Sequence, residues 1–111
     1  MTLTEATKLA IYIGDADHYG RKPLYRAIVE LLQREGIAGA TVLHGIEGYG
    51  APRRIHTAKI LDLSGDLPVV IIAIDREEKI QAVFPQVEAM VTSGLVTLER
   101  VRVAVSRPHP I

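Results

Sequence analysis

The stretch from Leu67 to Asp75 constrains the fold more than any other part of the sequence. It reads Leu-Pro-Val-Val-Ile-Ile-Ala-Ile-Asp, so apolar and mostly β-branched side chains follow one another almost without interruption. This composition is typical of a strand that is covered on both faces. Pro68 cannot donate a backbone hydrogen bond, so we expect it at the start of the strand or on an edge of the sheet.

Three further strands are predicted around this one, at Leu9–Ile13, Ala40–His44 and Val101–Val105. Gly14 is expected to end the first of them. A helix is predicted from Pro23, which suits the first helical position, to about Glu35. Gly36 suits the residue after the helix because glycine readily adopts positive φ.

A second helix is expected from Arg76 to Gly94, with Glu77 and Glu78 near the positive end of its dipole. Pro85 lies inside this segment and predicts a kink, or a short first turn followed by a restart. The apolar face has helical spacing and comprises Ile80, Val83, Phe84, Val87 and Val91.

The resulting order, β-α-β-β-α-β, predicts an α+β fold of the ferredoxin-like type. Right-handed crossovers then give a four-stranded antiparallel sheet with both helices on one face. The other face has no helix to cover it, although the strand at 67–75 is composed as if both its faces were buried. A second subunit would supply the cover, so the residues themselves favour an oligomer.

Length and composition exclude several classes of protein. The chain has 111 residues, which is enough for a single domain, 1–111, and too few for two ordinary ones. With 13 basic and 13 acidic residues, no overall field attracts nucleic acid or an anionic membrane. There is no cysteine, and the longest strongly apolar stretch, Leu67–Ile74, is too short to cross a bilayer. The first residues do not resemble a signal peptide, so we expect a cytoplasmic protein without membrane insertion.

A glycine-rich segment follows the second predicted strand, and we call Gly45–Gly50 the glycine loop. Gly45, Gly48 and Gly50 would let backbone N–H groups approach an anion, and Arg53 and Arg54 follow closely. The loop is neither a Walker loop nor a dinucleotide fingerprint, because no Gly-Lys-Ser/Thr and no helix follow it. A plain turn between two strands is the alternative. About twenty residues with little periodicity come next, and we expect residues 48–66 to form a flexible loop.

Other polar residues are further candidates for a binding site. Lys22, beside Arg21, precedes the first helix, whose free N–H groups attract anions. Arg100 and Arg102 would project from one face at the start of the fourth strand. Among four histidines without metal-ligand spacing, His44 is of interest because it ends a strand beside the glycine loop. Asp15 and Asp17 are interpreted as turn residues. No catalytic constellation is visible, so neither an enzyme nor a required cofactor is expected.

Several stretches together resemble a PII-like family catalogued as a domain of unknown function (number one-ninety). The resemblance covers about Lys8 to Val105. It rests on these segments: Gly20-Arg21-Lys22-Pro23-Leu24-Tyr25, Gly39-Ala40-Thr41-Val42 through Gly48-Tyr49-Gly50, Arg54-Ile55-His56-Thr57-Ala58-Lys59, Asp66-Leu67-Pro68-Val69-Val70 and Gly94-Leu95-Val96-Thr97-Leu98.

The resemblance implies a ferredoxin-like subunit in a PII-like homotrimer whose sheets face the threefold axis. It also implies that an adenine nucleotide (AMP, ADP or ATP) binds in clefts between subunits, beneath the loop joining the second and third strands. Gly48-Tyr49-Gly50 matches the Gly-aromatic-Gly turn of that site, and Arg100 and Arg102 match basic residues contributed by a neighbouring subunit. A regulated protein would dock on the long loop.

Two departures from the PII pattern affect these expectations. The turn before the fourth strand reads Thr92-Ser93-Gly94-Leu95-Val96-Thr97 and lacks the expected lysine, which leaves the phosphate contacts open. The stretch Ile55–Asp66 has no tyrosine, so uridylylation at a loop-tip tyrosine is not supported. The alternatives are a metal-binding trimer resembling copper-tolerance proteins, and a small phosphate-ester or anhydride hydrolase.

Overall fold

The structure is a computed structural model, and it describes residues 2–50, 55–57 and 66–104. In chain order its elements are β1 (Thr4–Gly14), β2 (His18–Tyr19), β3 (Lys22–Pro23), α1 (Leu24–Arg34), β4 (Ala40–His44), β5 (Glu47–Gly48), β6 (His56–Thr57), β7 (Pro68–Asp75), α2 (Glu77–Met90) and β8 (Leu95–Val103). Within this part of the chain, neither helix is long and apolar enough to cross a membrane.

The four long strands form one antiparallel sheet in the order β4-β7-β1-β8. Ile11 in β1 lies opposite Ile71 of β7 on one side and Val96 of β8 on the other. Both helices pack on the same face of this sheet. The predicted ferredoxin-like architecture is therefore confirmed, and β4 and β8 are its two edges.

The core lies between the sheet and the two helices. Alternate residues of β1 and β7 point into it, as the period of a strand requires. The helices contribute side chains at helical spacing, and several of the side chains are completely buried. The core comprises Leu9, Ile11, Ile13, Leu24, Ile28, Leu31, Leu32, Ile37, Val69, Ile71, Ala73, Ile80, Val83 and Val87.

The second face of the sheet, which we call the open face, carries the alternate residues. The register places Ala10, Tyr12, Leu43, Val70, Ile72, Ile74 and Leu95 on it. Tyr12, Leu43, Ile74 and Leu95 are 44%, 50%, 41% and 57% exposed in the single chain. Only one face of β7 is thus covered within the subunit, so its apolar composition is not explained by the subunit alone.

The edge strand β8 begins at Leu95, six residues before the predicted start at Val101. It is long because β1 is long, and the two pair without interruption from Tyr12 opposite Leu95 to Thr4 opposite Val103. Gly94 directly precedes the strand with a φ of 156°, and a Cβ there would collide with the carbonyl oxygen of Tyr12. Gly94 therefore does not end the preceding helix as predicted. Residues from Val105 onward lie outside the described part of the chain.

The helices differ from the prediction at Pro23, at Pro85 and at the end of α2. Pro23 precedes α1 as its cap, in an extended conformation, rather than occupying the first helical position. Gly36 has a φ of 80° after α1, as predicted. Helix α2 ends at Met90, and it passes through Pro85 without interruption, so the predicted restart was wrong. Pro85 is exposed, and a proline removes only one helical N–H donor while its ring faces solvent.

Two short two-stranded ribbons occur where the sequence predicted loops. His18 lies opposite Pro23 in the hairpin of β2 and β3, which packs beside α1. Gly48 lies opposite His56 in the ribbon of β5 and β6, inside the predicted flexible loop 48–66. The rest of that loop, 51–54 and 58–65, and the predicted irregular tail 106–111 lie outside the described residues.

Candidate functional site

The glycine loop lies across the start of β7. The amide of Gly45 donates a hydrogen bond to the carbonyl oxygen of Pro68 at 2.7 Å. A Cβ at Gly45 would lie 2.5 Å from Cγ of the Pro68 ring, and one at Gly48 would lie 3.1 Å from the same atom. These two glycines are thus explained by close packing on Pro68, and the Gly45 N–H is already engaged rather than free for an anion.

The outer part of the glycine loop is accessible. Among the described residues, no atom lies within 4 Å of a Cβ built on Gly50, so this side of its backbone is open to a ligand in that part of the chain. The Tyr49 side chain is 69% exposed, and Ile46 and Ile55 are also exposed. The predicted site residues Arg53 and Arg54 lie outside the described residues.

His44 ends β4 on the helical side of the sheet, next to the glycine loop. Its ring packs edge-on against Tyr25 of α1, with ring centroids 5.8 Å apart. Its Nε2 lies 3.9 Å from Oδ2 of Asp15, a contact that becomes an ion pair only when the imidazole is protonated. The structure therefore brings His44 to the base of the loop, as the sequence predicted.

Two carboxylates that are distant in sequence meet at the same end of the sheet. Asp66 accepts a hydrogen bond from the amide of Ala16 at 2.9 Å, and its carboxylate fills the space where Gly14 has no Cβ. Burial, together with the hydrogen bond and charge of Asp66, raises the pKa of the Asp15 carboxyl, while His44 partly offsets this. The sequence analysis interpreted Asp15 as a turn residue only, because nothing local signals a partner some fifty residues away.

Asp15 is also held through its backbone, since its amide donates to the carbonyl oxygen of Leu67 at 2.9 Å. With the bonds at Asp66 and Pro68, three successive residues anchor the far end of segment 51–65. Pro68 is also bonded to Gly45, the residue that directly follows β4. Both ends of the long connection are therefore fixed at one place, around which Tyr49 and His44 lie.

Lys22 lies away from this place. Its Nζ is 2.6 Å from Oε1 of Glu30 on α1, and this exposed ion pair lowers the pKa of Glu30. Lys22 lines a groove beside α1 and α2 that no residue of the glycine loop lines. Within one chain, the structure does not bring Lys22 and the glycine loop together.

Arg100 and Arg102 project from the same face of β8, as predicted, but from its second half rather than its start. They lie opposite Thr7 and Glu5 of β1, on the helical side of the sheet. Because β8 and β4 are opposite edges, these arginines are remote from the glycine loop of their own chain. They can join it only if a neighbouring subunit brings its β8 edge to this β4 edge.

In the described ranges, no group of three or more histidine, aspartate or glutamate side chains is arranged to hold a metal ion.

The family model of DUF190, described as an uncharacterized ACR, matches residues 6–103. The chain belongs to the DUF190 family. A UPF0166 protein of Aquifex aeolicus is 35% identical over 103 residues, which is 93% of this chain and 97% of the relative. The family resemblance seen in the sequence is therefore confirmed.

Solved structures show that this DUF190 chain has the PII-like fold. The structure of CPII from Thiomonas intermedia K12, bound to ADP, AMP and acetate, superimposes with a TM-score of 0.66 at 23% identity, covering 95% of this chain and 94% of that one. The divalent ion tolerance protein CutA1 of Ehrlichia chaffeensis superimposes with a TM-score of 0.58 at 13% identity, covering 92% and 84%. Both likenesses lie below 25% identity and concern the fold alone, so neither identifies a ligand of this chain.

Proposed function

We propose that this chain is a PII-like signalling protein, a single domain of residues 1–111 that assembles as a homotrimer and binds an adenine nucleotide in clefts between subunits. The segment 48–66 acts as a ligand-responsive docking element for a regulated protein. Catalysis plays no part in this role.

The observation that carries the proposal is that the two ends of segment 48–66 lie close together. The glycine loop at one end is bonded to Pro68, and Asp66 at the other end is bonded to Ala16 beside the same strand. A ligand bound there contacts the base of the segment directly. Its binding energy can then favour one arrangement of the segment over another, which is what a ligand-responsive switch requires. A solved structure of CPII, which shares this fold, is bound to ADP, AMP and bicarbonate.

The site residues have complementary roles in this proposal. The exposed ring of Tyr49 stacks on the base, and the open backbone at Gly50, with Gly45, Gly48 and His44, forms the floor of the cleft. Arg53 and Arg54 are candidates for the phosphates, together with Arg100 and Arg102 of a neighbouring subunit. Arginine suits this task because its planar fork donates two hydrogen bonds to phosphate.

The apolar open face supports the homotrimer. Tyr12, Ile74 and Leu95 lose contact with water only when another subunit covers them, and burial of such side chains favours association. Assembly through this face also allows one subunit's β8 edge to approach another's β4 edge.

Isothermal titration with AMP, ADP and ATP tests the nucleotide. We expect heat and thermal stabilisation with at least one of them at a stoichiometry of one per subunit. If none of the three binds or stabilises the protein, the nucleotide proposal is wrong.

The two alternatives are tested on the same preparation. A metal-binding trimer predicts bound metal after purification and its loss in His44→Ala. A hydrolase predicts turnover of ATP in a preparation free of contaminating phosphatase. We expect neither result, and either one would replace the signalling role.

A further inference from the structure

A groove of about 810 Å³ lies beside the two helices, on the side of the molecule away from the open face. The hairpin of β2 and β3 forms one wall, while α1 and the second half of α2 form the others. Residues of the open face and the glycine loop do not line it. The groove is therefore separate from both the proposed subunit contact and the proposed nucleotide site.

The floor of the groove is apolar. Leu31 is buried, Met90 is half-buried, and two alanines, Ala27 on α1 and Ala89 on α2, face the space with the smallest side chains that a helix favours. Small residues on both helices leave room for an inserted side chain, and methionine adapts to different shapes. Tyr19, which is 53% exposed, adds an aromatic ring at the hairpin wall.

The rim of the groove is basic. Among the described residues that line it, it carries Arg21, Lys22 and Arg34 against one carboxylate, Glu30. Glu30 is bonded to Lys22, so it is already neutralised. Within residues 2–50, 55–57 and 66–104, Arg21 and Arg34 form no ion pair. Two cations thus stand over an apolar floor outside any ion pair, and the charge of Arg34 acts on Glu30 only as a minor contribution to the lowered pKa of that carboxyl.

We propose that this groove binds an acidic amphipathic helix of another protein. Its apolar side chains enter between Ala27 and Ala89, and its carboxylates pair with Arg21 and Arg34. An amphipathic helix fits because the groove already lies beside two packed helices, and a third helix can lay its apolar stripe along it. The positive charges on the rim favour a partner that is negatively charged.

A nucleic acid fits the groove less well than such a helix. Phosphate-backbone binding draws on several cations along a track, whereas this rim offers two free ones beside Glu30 and the nearby Glu35. A nucleic acid has no apolar stripe for the floor. The protein partner is therefore the better match.

The test uses two fluorescein-labelled 18-residue helical peptides with leucine at the same i, i+3, i+4 and i+7 positions. One has glutamate and the other has lysine at the remaining positions. We expect the acidic peptide to bind, with amide NMR shifts confined to the groove, and the basic peptide to bind at least about tenfold more weakly. Equal binding of both peptides, no binding, or shifts centred on the open face would overturn the proposal.

Charge variants separate the groove from general attraction. Arg34→Glu is expected to weaken acidic-peptide binding about tenfold. Arg26→Glu removes the same charge from the same helix at a residue that does not line the groove, so it should change binding little. Equal losses in the two variants would mean that only net charge attracts the peptide, and the proposal would fail.

Two further measurements complete the test. Ala89→Trp fills the floor from an exposed position, so it should abolish peptide binding while leaving the unfolding midpoint unchanged. An 18-nucleotide single-stranded DNA should not compete with the peptide. Competition by this DNA, or a change of oligomeric state in Arg34→Glu, would assign the groove to a nucleic acid or to a subunit contact instead.

Discussion

The backbone of Gly45 lies directly against the ring of Pro68. The Gly45 amide donates to the Pro68 carbonyl oxygen at 2.7 Å, and a Cβ on Gly45 would lie 2.5 Å from Cγ of Pro68. This contact joins the end of β4 to the start of β7. It therefore closes the base of the long segment between them.

Gly45→Ala is expected to destabilise the protein by about 1–3 kcal/mol, because the added methyl group overpacks the contact with Pro68. Urea unfolding gives the change in free energy. Gly50→Ala is the matched control, since its Cβ would meet no atom of the described residues within 4 Å, and it should be nearly neutral. Equal effects of the two substitutions would contradict the packing explanation for Gly45.

Tyr49→Ala is expected to weaken nucleotide binding roughly tenfold, since stacking of a base on an aromatic ring contributes about 1–3 kcal/mol. The measurement is isothermal titration with the nucleotide that binds most tightly. Tyr19→Ala removes another exposed tyrosine, which lies in the hairpin beside α1, and should leave the affinity unchanged. An unaltered affinity in Tyr49→Ala would remove this residue from the site.

Arg102→Ala tests the contribution of a neighbouring subunit. We expect weaker binding of ADP and ATP, by roughly tenfold, because a phosphate loses a charged donor. The role in trans is checked by mixing this variant with Tyr49→Ala, since mixed trimers should regain some intact clefts. No gain in binding on mixing would argue against a site shared between chains.

Ile74→Glu is expected to convert the homotrimer to monomers, because it places an unpaired carboxylate on the apolar open face. Analytical ultracentrifugation gives the mass. Ile46→Glu introduces the same change at an exposed isoleucine of the glycine loop and should leave the trimer intact. A trimer that persists in Ile74→Glu would mean that association uses another surface.

Asp15→Asn is expected to be more favourable for stability, relative to the parent protein, at pH 7 than at pH 3.5. Burial and Asp66 raise the pKa of Asp15 in the folded state above its unfolded value. The folded state therefore binds this proton more tightly, and that stabilisation is lost as pH rises through the folded pKa. In thermal unfolding across this pH range, the midpoint of the variant should rise relative to the midpoint of the parent as the pH increases. A constant difference would mean that Asp15 titrates normally.

The periodicity of apolar residues was enough to predict most of the fold. Strand Ala40–His44 has the predicted bounds, and the strand at Leu67–Asp75 begins one residue later, at Pro68. The start of β8 could not be predicted, because residues 95–100 pair with β1 only through the long antiparallel register. Local propensity carries no information about that register.

The candidate site was predictable in part. The glycine loop and His44 are neighbours in sequence, so their proximity followed from the strand that ends there. Asp15 and Asp66 interact although they are far apart along the chain, and no sequence motif predicted this interaction. Lys22 was predicted as a site residue from its charge and its position before a helix, whereas the structure pairs it with Glu30 at the groove beside the helices.

By itself, the sequence determined the order of elements and the amphipathic pattern of each one, because these depend on residues within a few positions of one another. Only the tertiary structure decided which residues meet at the base of the long segment. It also showed that the ring of Pro68 leaves no room for a side chain at Gly45. The arginines of β8 lie on the edge of the sheet opposite to β4 and its glycine loop. Such contacts depend on strand pairing between distant segments, and that pairing is fixed by the packing of the whole core.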